Sequence, residues 1–236
     1  MAGVGDVIDA ENARWRFAGE ASTHFDEHVR RSIPFYAEAH DLVVKLSDFF
    51  VHDDSLVYDA GCATGTLLGA LAAHHQGRAV RLVGIDGEAD MVRLARQRTA
   101  GLDAVSVTHA DIAEVELEPC DLIIACYTMQ FVAPRVRQVV FERFYDALAW
   151  GGGLIMFEKV RAPDARFQDM MSTLYTDYKL EQGYSGDEIV AKTRSLKGVL
   201  EPFSRDGNLG LLERAGFVDI MSVFKYVCFE GFLAIK

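Results

Sequence analysis

At 236 residues, half of them hydrophobic and a quarter charged, the chain is long enough for one α/β domain with a buried core and too balanced in composition to be disordered. A formal net charge of -11 argues against a general attraction to nucleic acid or to anionic membrane, and favours a small-molecule partner. The four cysteines, Cys62, Cys120, Cys126 and Cys228, form no CxxC pair and no metal-ligand spacing, so reduced thiols are expected, with neither a disulfide framework nor a bound metal.

In chain order, residues 1–23 are polar and weakly periodic, and read as a loose N-terminal arm. No apolar segment follows a basic start, and no apolar run approaches the roughly 18 residues of a membrane span, so a cytoplasmic location is expected. From Phe25 to Phe50 apolar residues recur at helical spacing around Pro34, which predicts a short helix, a turn and a longer helix. Strand-like and helix-like stretches then alternate. "SLVYDAG", "RLVGID", "VSVTHAD", "CDLIIACYT" and "GLIMFEK" read as strands; "TLLGALAAHH", "EADMVRLARQRTA" and "RVRQVVFERFYDALAWGGG" read as helices, the last closed by its glycines. This rhythm predicts a parallel sheet covered by helices on both faces, within a single domain. Residues 162–203 interrupt it with a polar helical insertion, expected as a lid over the carboxyl ends of the strands. The C-terminal "LLERAGFVDIMSVFKYVCFEGFLAIK" predicts a helix and an antiparallel hairpin turning at "FEG".

The stretch "YDAGCATGTL" carries the chemistry. A strand ending in Asp59, a turn through Gly61, Cys62, Ala63 and Gly65, and a helix opening near Thr66 bring backbone N–H groups and a carboxylate to one sheet edge. Ala63 stands where a dinucleotide turn has its middle glycine, which weakens a pyrophosphate reading. Asp86, followed by Gly87, ends the second strand and suits a ribose; Asp111, followed by Ile112, ends the third and could accept from an adenine amine. Three acids closing three successive strands favour S-adenosylmethionine (SAM), whose sulfonium and zwitterionic tail suit an acid-lined turn.

"YDAGCATGTLLGAL", "GID", "HADI" and "LAWGGGLIMFEK" resemble the motifs of class I SAM-dependent methyltransferases, which implies a doubly wound, mostly parallel seven-stranded sheet. "FDEHVRRSIPFY", "CYTMQFVAP" and "DYKLEQGYSGDEIVAKTRS" resemble the carboxy-S-adenosylmethionine synthase family more closely, and carry the likeness over most of the chain. Carried over by position, this resemblance implies that Tyr36 and Gly61 contact the methionine part of SAM, that Asp86 holds the ribose, and that Asp111 with Ile112 surrounds adenine. It also implies that Arg194 grips a carboxylate in a partner subunit's pocket, hence a homodimer.

The chain departs from the family at Cys126, where an asparagine is usual, and at Tyr175 and Thr176, where two histidines are usual. Cys126, Tyr175 and Arg194 are therefore the candidate catalytic residues. Tyr127, Phe131, Tyr178 and Tyr184 join Tyr175 as aromatic residues able to face a sulfonium. His24 and His28 are candidate bases, although a lone histidine is more often a surface residue. Neither Cys62 nor Cys126 reads as a nucleophile, so Cys126 matters through the amide it replaces. The expected function is an enzyme in which SAM itself reacts, by carboxylation of its methyl group or by cyclisation of its aminobutyrate part with release of methylthioadenosine. The alternative is a conventional methyltransferase acting on a small molecule.

Overall fold

A computed structural model describes residues 24–236 together with Ala2, Gly3, Asp9, Ala10, Ala13, Gly19 and Ser22. Most of the N-terminal arm expected from the sequence therefore lies outside the described residues. Within it, Ala2–Gly3 and Asp9–Ala10 form a short antiparallel ladder, and the Ala13 N–H donates to the Arg194 carbonyl at 3.0 Å.

Seven strands form one sheet: β1 (Leu56–Ala60), β2 (Arg81–Asp86), β3 (Val105–His109), β4 (Cys120–Cys126), β5 (Leu148–Lys159), β6 (Asp219–Tyr226) and β7 (Phe229–Ile235). Their spatial order is 3-2-1-4-5-7-6, parallel from β3 to β5, with β7 antiparallel between β5 and the edge strand β6. The order reverses beside β1, where a doubly wound sheet opens its ligand crevice. β1 is buried at every position, as expected of a central strand covered on both faces.

Helices α1 (Phe25–Ser32) and α2 (Tyr36–Ser47) precede the sheet, and α3 (Thr66–His74), α4 (Ala89–Arg98) and α5 (Pro134–Ala147) connect its parallel strands. Leu67, Leu68 and Leu71 of α3, with Ala39 and Val43 of α2, seal one face. The other face is sealed by Val140, Phe141 and Phe144 of α5 and by Leu211 and Leu212 of α8 (Arg205–Ala215). Phe141 and Phe144 are almost wholly buried, and each such ring contributes about 2–3 kcal/mol of burial free energy. The insertion folds as α6 (Ala165–Glu181) and α7 (Gly186–Ser195), the latter opened by a capping box between Ser185 and Glu188.

Two local expectations are corrected. The glycines of "LAWGGG" do not close α5, which ends at Ala147; they lie inside β5, where Leu148 pairs with Cys120 and Gly153 leaves room for the Phe50 ring. The hairpin turns at Val227 and Cys228 instead of at "FEG". Gly231 is a strand residue facing Phe157, whose ring atoms would lie 2.7 Å from any added Cβ. Both glycines serve packing, which a turn-based reading of glycine overlooks.

Candidate functional site

The carboxyl ends of β1–β5, α1, the N-terminus of α2 and the lid helices enclose one cleft of about 1290 Å3. Tyr36, Asp59, Gly61, Cys62, Ala63, Asp86, Gly87, Asp111, Ile112, Cys126, Tyr175 and Arg194 all line it, so nearly every residue singled out from the sequence meets in one place. Gly65 does not. It sits at φ +75° as the cap of α3, and a Cβ there would come within 3.1 Å of Ala95 on α4, so its role is in packing and chain reversal.

At the turn, the Gly61 and Cys62 N–H groups donate to the Ile85 carbonyl at 2.7 and 3.0 Å, tying β1 to β2. Ala63 takes the left-handed conformation, φ +47°, and its N–H donates to Asp86 Oδ2 at 2.9 Å. The other Asp86 oxygen accepts from the Glu88 N–H at 2.9 Å. A backbone donor that would otherwise face a phosphate is thus directed at a carboxylate, which leaves the turn unsuited to a pyrophosphate. Burial raises the Asp86 pKa while the two N–H groups oppose the rise.

Asp59 is fully buried, and its Oδ2 has no hydrogen-bond partner among the described residues. Burial, then the neighbouring Asp86 charge, pushes its carboxyl up to about 7. An unpartnered, buried carboxylate oxygen on a residue that lines the cleft is a candidate seat for a cation or a strong donor. Further along the edge, Asp111 Oδ1 accepts from the Ala113 N–H at 2.8 Å, leaving Oδ2 exposed beside Ile112.

On the far side of β1 the lining becomes aromatic. Tyr127, at φ +59°, stacks on Tyr36 with ring centroids 5.9 Å apart and meets Phe229 edge-on at 6.0 Å. Tyr175 meets Phe229 at 5.3 Å and donates its hydroxyl to the Ser32 carbonyl at 2.8 Å. Burial holds the Cys126 thiol and the Tyr127 and Tyr175 phenols well above their ordinary pKa values, so all three are neutral, protonated groups. Phe131 also lines the cleft. Tyr178 and Tyr184 do not; Tyr178 stacks on Tyr175 at 6.4 Å, and Tyr184 is buried with its hydroxyl 3.3 Å from His28 Nδ1. His28 lines the cleft within this group, whereas His24 only precedes α1.

Several functional residues were missed by sequence reasoning. Lys159 and Lys179 place their ammonium groups 4.3 and 4.4 Å from the centroid of the Tyr175 ring and line the cleft. Lys159 was findable as the last residue of a parallel strand, where side chains reach the crevice; Lys179 comes from mid-lid and carried no signal. Asp26 on α1 accepts from Thr64 Oγ1 at 2.6 Å and Thr66 Oγ1 at 3.3 Å and pairs with Arg98, fastening α1 over the turn. Arg137 is buried and donates to the carbonyls of Val132, at 2.7 Å, and Glu201, at 3.0 Å, joining the loop after β4 to the end of the lid.

The fold and the acid-ended turn define a class I SAM-dependent methyltransferase domain, and residues 57–152 match the methyltransferase domain family. A structure of an O-methyltransferase family protein from Burkholderia thailandensis superposes with a TM-score of 0.65, at 14% identity over 92% of this chain and 60% of that one. Human N-acetylserotonin methyltransferase in complex with SAM gives 0.59, at 19% identity over 92% of this chain and 55% of that one. These distant likenesses bear on the fold alone. Carboxy-S-adenosyl-L-methionine synthase of Campylobacter jejuni strain 81-176 is 38% identical over 225 residues, 94% of each chain, and that of Staphylococcus epidermidis is 34% identical over 94% of this chain and 97% of its own. The chain belongs to the carboxy-S-adenosyl-L-methionine synthase family, and is a SAM-using enzyme of transferase type. No helix among the described residues is long and apolar enough to cross a membrane.

Proposed function

We propose that SAM is the reacting substrate and that the enzyme carboxylates its methyl carbon, drawing on a separate carboxylate compound as donor. The observation that carries this reading is the division of charge along one cleft. Asp59, Asp86 and Asp111 stand at the end formed by β1–β3; Lys159, Arg161, Lys179 and Arg194 stand at the end formed by β5 and the lid. The acidic end fits the adenosyl and amino groups of SAM: Asp59 Oδ2 is free to accept from the ammonium, the Asp86 oxygens retain lone pairs for the ribose hydroxyls, and Asp111 Oδ2 is free for the adenine amine. The cationic end suits an anionic donor, which a methyl transfer to a neutral acceptor would not require. In the reaction the C–C bond to the donor's carboxyl group breaks and releases carbon dioxide. The electron pair left on the donor, or the hydroxide it expels, takes a proton from the SAM methyl, and the methyl carbon then forms one new C–C bond to the carbon dioxide while sulfur keeps its charge.

The family likeness supports the same reading, because it extends beyond residues 57–152 over 94% of the chain. The donor class implied by the resemblance is a carboxylate such as prephenate.

A second reading is favoured by the aromatic wall of Tyr36, Tyr127 and Phe229, with Cys126 in place of an amide. Such a wall holds a sulfonium by cation–π attraction, worth roughly 2 kcal/mol when desolvated, and folds the methionine chain back on itself. The ammonium first passes a proton to Asp59, and the neutral amino nitrogen then attacks the carbon next to sulfur. An N–C bond forms, the C–S bond breaks with its electron pair on sulfur, and methylthioadenosine leaves.

Mass spectrometry of the products separates these readings. Incubation of the purified protein with SAM and prephenate is expected to give carboxylated SAM, with no turnover of SAM alone. Methylthioadenosine and a cyclic amino acid from SAM alone would select the second reading. S-adenosylhomocysteine formed only with an added small nucleophile would sink both.

We also propose a homodimer. Arg194 lies exposed at the cleft rim and meets no acid among the described residues, while Phe167, Met170 and Leu174 leave an exposed apolar stripe on the adjacent lid helix. A monomeric mass by light scattering, with full activity, would refute it.

A further inference from the structure

We propose that Lys159 and Lys179 form a carboxylate-binding subsite in the roof of the cleft, with Tyr175 as the platform that holds the two ammonium groups in place. The inference rests on the reading that SAM occupies the same cleft.

Two like charges share one aromatic ring, at 4.3 and 4.4 Å, in a partly buried position. Neither lysine has a carboxylate within ion-pair distance among the described residues. The groups around them come from every element packed there: Tyr175 on α6, Arg161 after β5, and Cys228 in the turn between β6 and β7. None supplies negative charge at neutral pH, since Tyr175 is held protonated and burial raises the Cys228 thiol. Burial, then the Lys159 charge, lowers Lys179 to about 8, and burial lowers Lys159 as well.

Repulsion of this kind is costly unless a ligand relieves it, and in a chain of net charge -11 a cationic pocket is not a by-product of composition. The ring retains the cations when no anion is bound, and the cleft brings the anion to them. A carboxylate suits two ammonium groups that stand on one ring at the end of β5 and on α6, whereas phosphate sites are typically built on a helix N-terminus. The carboxylate belongs either to a separate donor or to the tail of SAM itself.

The probe is malonate, titrated calorimetrically into the protein with and without saturating S-adenosylhomocysteine, for wild type, Lys159→Met, Lys179→Met and Lys179→Arg. SAM affinity is measured on the same four proteins, each first checked for an unchanged melting transition. Malonate is expected to bind wild type, to bind at least tenfold more weakly to either methionine variant, and to recover in part with Lys179→Arg. Malonate binding alongside S-adenosylhomocysteine, with SAM affinity within twofold in every variant, assigns the subsite to a separate donor. A tenfold loss of SAM affinity in the methionine variants, with malonate competing against SAM, assigns it to the SAM tail. Wild-type affinities for both ligands in both methionine variants would overturn the proposal. Failure of the SAM reading shows separately, as absent SAM binding in wild type while malonate still titrates against the lysines.

Discussion

The Ala63 N–H donates to Asp86 Oδ2 at 2.9 Å, across the crevice between β1 and β2. Through this bond the turn supports the carboxylate proposed to hold the ribose, and Ala63 adopts the left-handed backbone of a glycine without being one. Asp86→Ala removes the ribose acceptor and strands two backbone donors at once. SAM affinity is expected to fall by about 2–3 kcal/mol, roughly 30- to 150-fold, in a calorimetric titration. Affinity within threefold of wild type would show that Asp86 serves the turn alone.

Asp59 and Glu158 should set a pH dependence of stability. Burial pushes Asp59 up to about 7 and Glu158 up to about 8, both above the values of an unfolded chain. Between those limits the folded protein binds more protons than the unfolded one, so these two groups make it less stable as pH rises from about 4 towards 8. Asp59→Asn cancels its share. The melting temperature of the ligand-free variant is expected to exceed that of wild type near pH 8 and to match it near pH 4. A constant difference across the range would show that the carboxyl is not titrating.

Gly65 tests the separation of packing from binding. Gly65→Ala forces a side chain into φ +75° and against Ala95, and should cost about 1–2 kcal/mol of stability. The SAM dissociation constant, measured well below the melting temperature, should change less than threefold. A large loss of affinity at unchanged stability would return Gly65 to the ligand site.

The latch at Asp26 should govern access to the turn. Burial raises the Asp26 carboxyl, but hydrogen bonds from Arg98, Thr64 and Thr66, with the Arg98 charge, outweigh it and leave its pKa lowered. Its contribution is therefore present at neutral pH and lost as pH falls through the lowered value. Asp26→Ala is expected to raise KM for SAM several-fold with a smaller change in kcat, and to speed exchange of backbone amides in α1. An unchanged KM together with unchanged exchange would show that α1 is held without the Asp26 latch, by contacts such as Arg31–Gln182 and Tyr175–Ser32.

Arg137 should act on the lid. Arg137→Met leaves the part-buried carbonyls of Val132 and Glu201 without their donor, at a cost of about 1–3 kcal/mol. A melting temperature lowered by several degrees is expected, as is faster proteolysis between α7 and α8. Wild-type resistance would mean that the lid is anchored elsewhere.

The sequence by itself determined the sheet, the turn and the acids. Periodicity separates buried strands from amphipathic helices, and residues that end parallel strands must arrive at one edge, so Asp59, Asp86 and Asp111 could be placed together from their positions in the chain. The sequence also misplaced a glycine: Gly231 read as a turn residue, yet its missing side chain makes room for Phe157, as that of Gly153, at the start of the expected strand "GLIMFEK", does for Phe50. Only the tertiary structure decided what lies opposite the edge. Lys179 meets Lys159 over Tyr175, Asp26 meets Thr64, and Arg137 meets Glu201 across gaps of 20, 38 and 64 residues. These pairings depend on where the helices α1 and α6 and the end of the lid come to rest. No local pattern encodes that, because the partners are side chains at single positions, brought together by the packing of whole elements.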